Sequence, residues 1–251
     1  MEEGAMEEIM PRFRLGNVSP TGRAGGIQPY QFYRLLPRDV MLISSPLGLK
    51  EYTKALVQEA LGNYWSCVDE LVGHKVDRIV QTGIPIAAQA GRSTIQGLLS
   101  QTEEKTGIPS DADLEAVIAG MKHLGVETVT IGSRWADEVN QALKDYLGAA
   151  GIKVVGQTSL GQWGAQAFAM PLEEGVRLAV ELGREAHRLA PNADGILVPG
   201  GAWLSIHAIP ILEAELGKPV FTNMNGMVWN AVVRTGVVAP IQGWGRLLAT
   251  A

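Results

Sequence analysis

The sequence predicts an α/β fold with a mainly parallel sheet, and three observations support this. Short runs rich in β-branched residues alternate along the chain with longer amphipathic runs. Each β-branched run is four to six residues long and mostly apolar, which is typical of strands buried on both faces. The 251 residues are 46% apolar and 19% charged, a globular composition with room for one large domain or two small ones.

The predicted elements follow this alternation in order. The predicted strands are 13–18, 39–44, 76–81, 128–131, 152–155, 195–198 and 219–222. The predicted helices, each with apolar residues near helical spacing, are 50–72, 113–124, 136–147, 172–189, 206–216 and 227–234. The first of these carries Leu56, Leu61, Trp65, Val68 and Leu71 on its apolar face.

Helix boundaries and loops are predicted from turn-forming residues. Ser110 or Asp111 is expected to cap the helix that begins at 113. Segments 20–29 and 157–171 are expected to be loops that cover a cleft. Three glycines stand where helices should stop, and they are Gly125, Gly151 and Gly217.

A weak internal repeat relates two segments. DRIVQTGIP (77–85) and DGILVPGGA (194–202) each read Asp, apolar strand and glycine turn, and each precedes a helix. Two similar halves that face each other would bring both turns to one cleft. A repeat this short also arises by chance, so at this point the two-half arrangement is one of two alternatives.

Charge, hydropathy and cysteine content exclude several classes of protein. The net charge is -5, so we expect no nucleic-acid partner. No run of 18 uncharged apolar residues is present, which predicts no membrane span, and the acidic segment 1–10 does not resemble a signal peptide. The expected location is the cytoplasm. The single cysteine, Cys67, excludes an internal disulfide and a multi-cysteine metal site.

Common cofactor motifs are missing from the sequence. No strand runs into G-x-G-x-x-G, no phosphate-binding G-x-x-x-x-G-K-[ST] is present, and no G-x-S-x-G elbow is present. The four histidines lack H-x-x-x-H or H-E-x-x-H spacing, which argues against a metal site. An enzyme built from this chain is therefore expected to use no cofactor.

Residues at the predicted strand ends indicate where a ligand would bind. Ligands of parallel sheets bind beyond the carboxyl ends of the strands. Those positions are mainly small, amide, hydroxyl and aromatic residues, with Lys50, Glu51 and Arg134 as the few charged ones. Gly83 and the pair at 200–201 are expected to present backbone N–H groups to a carboxylate or oxyanion, unless they only make tight turns.

Five segments together resemble the aspartate/glutamate racemase superfamily, nearest its arylmalonate decarboxylase and maleate isomerase branch. They are LGLKEYT (47–53), 107–143, TSLGQWGAQAFA (158–169), 194–220 and MVWNAV (227–232). The resemblance implies two facing, pseudo-symmetric Rossmann-like (flavodoxin-like) halves with mainly parallel sheets. It places one half at 1–118, completed by 223–251, and the other at 119–222, with the active-site cleft between them.

The resemblance also implies chemistry without a cofactor on small carboxylic acids, through an enediolate-like intermediate. Most members of the superfamily use a cysteine at the turn of each half, and the decarboxylases keep only the second. Here the first position matches Gly83 and the second matches Gly200, or Pro199 or Gly201 if the register slips. Cys67 lies inside a predicted helix, matches neither position and is expected to be structural.

The candidate site follows from these matches. Tyr52 and His207 are the candidates for proton transfer, although each is also a side chain that packs or forms hydrogen bonds in many helices. Trp135 matches the tyrosine in the second-half turn of the decarboxylases, and Phe168 matches an apolar wall position. The candidate substrate-binding residues are Asn17, Gly83, Ile84, Arg134, Trp135, Phe168, Gly200, Gly201 and Asn223.

The predicted function is a cofactor-independent lyase or isomerase that acts on a small carboxylic acid with a bulky apolar group, with decarboxylation favoured. A non-catalytic binder of small molecules is the alternative from another class. A maleate-isomerase-like or racemase-like enzyme, a hydratase with a replaced acid/base, and an enzyme whose substrate is not an acid also stay open. The apolar tail 237–251 either frays or packs across a neighbouring subunit of a homo-oligomer.

Overall fold

A computed structural model describes residues 10–22 and 27–251. Its strands form two separate four-stranded sheets, and every strand pair is parallel. The first sheet has the order β2-β1-β3-β4 and consists of β1 (Phe13–Ser19), β2 (Val40–Pro46), β3 (Arg78–Gln81) and β4 (Ser110–Ala112). The second has the order β6-β5-β7-β8 and consists of β5 (Thr128–Trp135), β6 (Lys153–Gln162), β7 (Gly195–Leu197) and β8 (Val220–Phe221). The predicted α/β fold with mainly parallel sheets is confirmed.

Helices connect the strands. They are α1 (Ile27–Leu35), α2 (Lys54–Leu61), α3 (Tyr64–Gly73), α4 (Ile84–Ala90), α5 (Arg92–Thr106), α6 (Asp113–His123), α7 (Asp137–Ala149), α8 (Gly164–Phe168), α9 (Leu172–Leu189), α10 (Ala208–Leu216) and α11 (Asn223–Val228). A 3₁₀ turn at Ser205–His207 precedes α10, and a π-helical turn at Trp229–Val233 follows α11. No helix in the described part of the chain is both long and apolar enough to cross a bilayer.

The two sheets have the same strand order, so the halves are pseudo-symmetric. The weak repeat seen in the sequence falls on β3 and β7, the third strand of each sheet. The aspartate that begins each repeat makes the same contact. Asp77 Oδ2 accepts a hydrogen bond from the backbone N–H of Arg14 at 2.6 Å, and Asp194 Oδ2 accepts one from that of Thr128 at 2.8 Å.

Several predicted element boundaries are wrong, each for a physical reason. The helix predicted at 50–72 is two helices, because the chain breaks at Asn63, whose side chain donates to the Leu47 carbonyl at 3.0 Å. Ser110 and Asp111 do not cap a helix, because their backbone pairs with β3 to form β4. The predicted loop at 157–171 is largely β6 and α8. Within the predicted loop at 20–29, residues 27–29 begin α1 and 23–26 lie outside the described residues.

The C-terminal segment packs on its own chain and does not fray. Leu247 and Leu248 are almost completely buried. Leu247 lies directly against Gly120 of α6, and the Trp229 indole N–H donates to the Thr250 carbonyl at 3.2 Å. The tail therefore packs on α6 and on the π-helical turn that follows α11.

Candidate functional site

A cleft lies at the carboxyl ends of the strands, where residues from both sheets meet. The empty space between its walls is about 570 Å³, a volume that includes space open to solvent. The residues that line it are Pro20, Gln28, Tyr52, Thr82, Gly83, Pro85, Asp113, Arg134, Trp135, Gly200, Gly201, Ala202, Asn223, Met224 and Met227. This is the ligand position that the parallel-sheet rule predicts.

The two glycine turns face this cleft and have no room for side chains. Gly83 has φ 105° and Gly200 has φ 131°, conformations that L side chains rarely adopt. A Cβ atom on Gly83 would lie 2.5 Å from Pro20 Cγ, and one on Gly200 would lie 2.7 Å from Trp203 Nε1. Glycine is therefore required at both positions in this backbone.

The N–H groups of these two turns are already bonded within the protein. Gly83 N–H donates to Asp113 Oδ2 at 2.8 Å, and Gly200 N–H donates to Asn223 Oδ1 at 2.5 Å. The Asn223 amide nitrogen also donates to Asp113 Oδ2, at 2.7 Å. Side-chain oxygens therefore occupy two of the N–H groups that are predicted to hold a substrate carboxylate. The Asn223 side chain is also occupied, because its Oδ1 accepts from Gly200 and its amide nitrogen donates to Asp113.

Asp113 and Asn223 are equivalent residues of the two halves. Asp113 is the first residue of α6, directly after β4, and Asn223 is the first residue of α11, shortly after β8. Asp113 accepts the N–H of Gly83, which follows β3 of the first sheet, and Asn223 accepts that of Gly200, which follows β7 of the second. The hydrogen bond between Asp113 and Asn223 connects the helices that follow the two sheets, and both residues line the cleft.

Asp113 is the site residue that sequence reasoning missed. Its side chain lines the cleft and is 1% exposed. Burial raises the pKa of Asp113 to about 7, although the hydrogen bonds from Gly83 and Asn223 lower it. Its Oδ1 forms no hydrogen bond with any described residue. The available signal was its place after a strand, which matches the place of Asn223 in the other half.

Arg134, at the end of β5, is a buried cation in the cleft wall. It is 1% exposed, its Nη1 donates to the Ala167 carbonyl at 2.9 Å, and its guanidinium lies 4.7 Å from the Trp203 ring centre. Burial lowers the pKa of Arg134 to about 10, an effect that Tyr52 partly offsets, so the side chain is charged at neutral pH. Within the described residues no carboxylate pairs with it, and its Nε has no partner.

Tyr52 and Trp135 contribute aromatic side chains to the lining of the cleft. Tyr52 is 5% exposed and Trp135 is 2% exposed. Burial raises the pKa of Tyr52 well above its ordinary value, with a smaller opposing effect from Arg134. The phenol therefore stays protonated and is a weak proton donor at neutral pH, although it remains a hydrogen-bond donor.

His207 and Asn17 are not among the residues that line the cleft. The His207 ring packs against Trp244 with ring centres 5.5 Å apart, because the 3₁₀ turn points it toward the C-terminal segment. Both polar atoms of the Asn17 amide form hydrogen bonds with residues at neighbouring strand ends. Its Nδ2 donates to Ser44 Oγ at 3.0 Å, and its Oδ1 accepts from Thr82 Oγ1 at 2.7 Å. Asn17 therefore braces the lining residue Thr82.

Ile84 also falls outside the lining, and Phe168 is not described at its side chain. Ile84 is fully buried beneath the turn and packs in the core, so it does not face the cleft. Phe168 ends α8, but its side chain lies outside the described part of the structure. Cys67 is buried in α3, does not line the cleft, and has a thiol pKa raised by burial.

Glu51, which the sequence offered as a charged cleft residue, connects the two halves at the edge of the site. Its carboxylate accepts the N–H groups of Gly164 at 2.5 Å and Ala165 at 3.3 Å, at the start of α8. This contact holds α8 beside the end of β2.

Comparisons with known proteins agree with this architecture. Residues 16–248 match the family model described as arylmalonate decarboxylase. Arylmalonate decarboxylase of Bordetella bronchiseptica is 31% identical over 242 residues, which cover 93% of this chain and 95% of that protein. A crystal structure of a double mutant of arylmalonate decarboxylase in the liganded form matches with a TM-score of 0.85 and 29% identity, and covers 94% of this chain and 98% of that one. A maleate isomerase from Pseudomonas putida S16, solved with maleate, has the same fold, with a TM-score of 0.80, 21% identity and coverage of 95% and 98%.

Proposed function

Since this chain belongs to the arylmalonate decarboxylase family, we propose that it removes carbon dioxide from a small carboxylic acid that carries a bulky apolar group. The family assigns the chain to the cofactor-independent lyases and isomerases. Decarboxylation and the apolar substrate group are the finer proposals, and they rest on the contents of the cleft.

The observation that supports the substrate class is the unpaired charge of Arg134. A buried cation without a counterion is strongly unfavourable, so the cleft favours an anion beside it. The planar guanidinium matches a carboxylate, with which it forms paired hydrogen bonds. Its buried Nε has no hydrogen-bond partner among the described residues. A substrate carboxylate at Arg134 would compensate this charge.

The apolar part of the substrate fits the opposite lining. Pro85, Trp135, Met224 and Met227 present apolar or aromatic surface to the cleft. Methionine adapts its shape to irregular groups, and the aromatic ring packs against planar ones. A malonate that bears an aryl group would place one carboxylate at Arg134 and the ring against these residues.

A second candidate function is non-catalytic binding of a small carboxylic acid. The supporting observation is that Asp113 and Asn223 occupy the turn N–H groups, which are then not available to stabilise an oxyanion. Such a protein would hold a carboxylate at Arg134 without turnover.

The test is release of carbon dioxide from aryl- and alkyl-substituted malonates by the wild type, Arg134→Met and Arg92→Met. Arg92 is the matched control, because it is also partly buried but pairs with Glu115 at 2.8 Å outside the cleft. We expect turnover by the wild type and Arg92→Met, and a KM at least ~10-fold higher for Arg134→Met because a charge-assisted contact is lost. Binding without carbon dioxide release would favour the binder, and neither binding nor release would refute both functions.

A further inference from the structure

We propose that Asp113 is the catalytic acid of the cleft and delivers a proton to the α-carbon of the substrate, the task that a thiol performs in related decarboxylases. This inference rests on the proposed decarboxylation. It names a residue in the first half, on the opposite side of the pseudo-symmetric pair from the family cysteine position at Gly200.

The hydrogen bonds of Asp113 define which oxygen can carry the proton. Gly83 N–H and the Asn223 amide both donate to Oδ2, at 2.8 and 2.7 Å. In the neutral form of Asp113 these two donors need the lone pairs of Oδ2, so Oδ2 is then the carbonyl oxygen. The proton of the neutral carboxyl group therefore lies on Oδ1, a buried atom without a partner among the described residues. The acid is thus held through Oδ2, and Oδ1 carries its proton.

Only one of the two equivalent positions in the pseudo-symmetric fold carries an acid. Asn223 occupies the equivalent position in the other half and cannot exchange a proton at neutral pH. A racemase needs an acid/base on each face of its substrate. A decarboxylase needs only one proton donor. The Asp113–Asn223 pair therefore fits delivery of a proton from a single face, which yields one enantiomer of a chiral product.

The environment of Asp113 keeps it ready to donate near neutral pH. Burial dominates and raises its pKa to about 7, the charge of Asp111 on β4 raises it further, and Gly83, Asn223 and Leu114 lower it. Tyr146 on α7 is close enough for the Asp113 charge to raise the tyrosine pKa. Arg134 and Tyr52 line the same cleft. A general acid is most effective when its pKa lies near the working pH.

The reaction balances with this one acid. The bond between the α-carbon and the leaving carboxylate breaks, carbon dioxide departs, and the electron pair stays on the α-carbon as an enediolate. The O–H bond of Asp113 then breaks, and its proton forms the new C–H bond. Asp113 is left as a carboxylate and regains a proton from water. One proton enters and one carbon dioxide leaves in each cycle.

The test compares Asp113→Asn with Asp111→Asn on a malonate that carries an aryl and a methyl group on its α-carbon. Asn keeps the acceptor for Gly83 and Asn223 but has no acidic proton. Asp111 is the matched control, because it is also buried, with a pKa that burial raises to about 6, but it does not line the cleft. Circular dichroism verifies that both variants fold.

The expected result is a kcat about 10²–10⁴-fold lower for Asp113→Asn with KM little changed. Asp111→Asn should keep a kcat near wild type at low pH, with its pH limb moved to lower pH because the Asp111 charge no longer raises the pKa of Asp113. The wild-type kcat should fall as pH rises through about 7, because the acid loses its proton, and this limb should be missing in Asp113→Asn. Product from the wild type should be one enantiomer, and residual product from Asp113→Asn should be racemic.

Other outcomes separate this inference from the proposed function. Carbon dioxide release by the wild type together with an unchanged kcat and pH limb in Asp113→Asn would overturn the role of Asp113 alone. If no malonate turns over but arylacetate binds, the proposed decarboxylation is refuted. The role of Asp113 is then decided by proton uptake on arylacetate binding, measured by calorimetry in two buffers at pH 7.5. Uptake lost only in Asp113→Asn would identify it as the acid of the cleft, and equal uptake in all three proteins would overturn it.

Discussion

Replacing Asp113 by Asn should stabilise the folded protein at alkaline pH. The carboxyl group is 1% exposed, and its neutral form is favoured by burial. Above its pKa the folded protein must hold a buried charge that the hydrogen bonds from Gly83 and Asn223 offset only in part. Asn has nearly the same shape, keeps the acceptor for Gly83 and Asn223, and carries no charge at any pH.

The magnitude follows from the two protonation states. In the unfolded chain an aspartate has a pKa near 4, whereas burial raises that of folded Asp113 to about 7. Between these values the folded state binds more protons than the unfolded state, so stability falls as pH rises. The loss begins near pH 4 and is complete above about pH 7, and at ~1.4 kcal/mol per tenfold change it amounts to at most ~4 kcal/mol.

Urea unfolding of the wild type and Asp113→Asn at pH 5 and pH 8 measures this effect. The variant should gain about 2–4 kcal/mol over the wild type at pH 8, and a smaller amount at pH 5. Asp111→Asn is the comparison. Burial raises the pKa of Asp111 to about 6, so the loss of stability that its charge causes is complete at a lower pH. Equal stabilities of wild type and Asp113→Asn at pH 8 would refute the reasoning that burial disfavours the Asp113 charge.

Three further predictions concern the turn, the thiol and the tail. Gly200→Ala should lower the free energy of unfolding by about 1–3 kcal/mol in urea titrations, because its Cβ meets Trp203 Nε1, whereas Gly201→Ala, with open space around it, should cost little. Cys67→Ser should leave kcat unchanged in carbon dioxide release, because the thiol does not line the cleft, and complete loss in a folded variant would contradict this. Leu248→Ala should lower the melting temperature, with a cost of about 2–4 kcal/mol, because this fully buried leucine would leave a cavity, and an unchanged melt would show that the tail is loosely packed.

The strand pattern was predictable because buried parallel strands require apolar β-branched runs. β4 was not, because its residues Ser110, Asp111 and Ala112 show no apolar run and become a strand only through pairing with β3. The positions of Tyr52, Arg134 and the two glycine turns at strand ends were also predictable, since strand ends converge in a parallel sheet.

The acid itself was hidden by its local context. Asp113 begins a helix, where aspartate is common for reasons of helix stability alone. Its functional signs are tertiary, because Gly83 lies 30 residues before it and Asn223 lies 110 residues after it. His207 shows the converse error. A histidine shortly after the Gly200 turn suggested proximity to the cleft, but the 3₁₀ turn directs its ring to Trp244.

Under the proposed mechanism, the charges in the cleft would also control the protonation of Asp113 and the release of product. A malonate bound at Arg134 brings a second carboxylate into a site that already contains Asp113. A nearby negative charge raises the pKa of a carboxyl group, so the substrate would keep Asp113 protonated until the carbon dioxide leaves. After proton transfer the ionised Asp113 and the product carboxylate repel each other. Product affinity should therefore fall as pH rises through about 7 in the wild type and stay constant in Asp113→Asn, a difference that calorimetry of arylacetate binding measures.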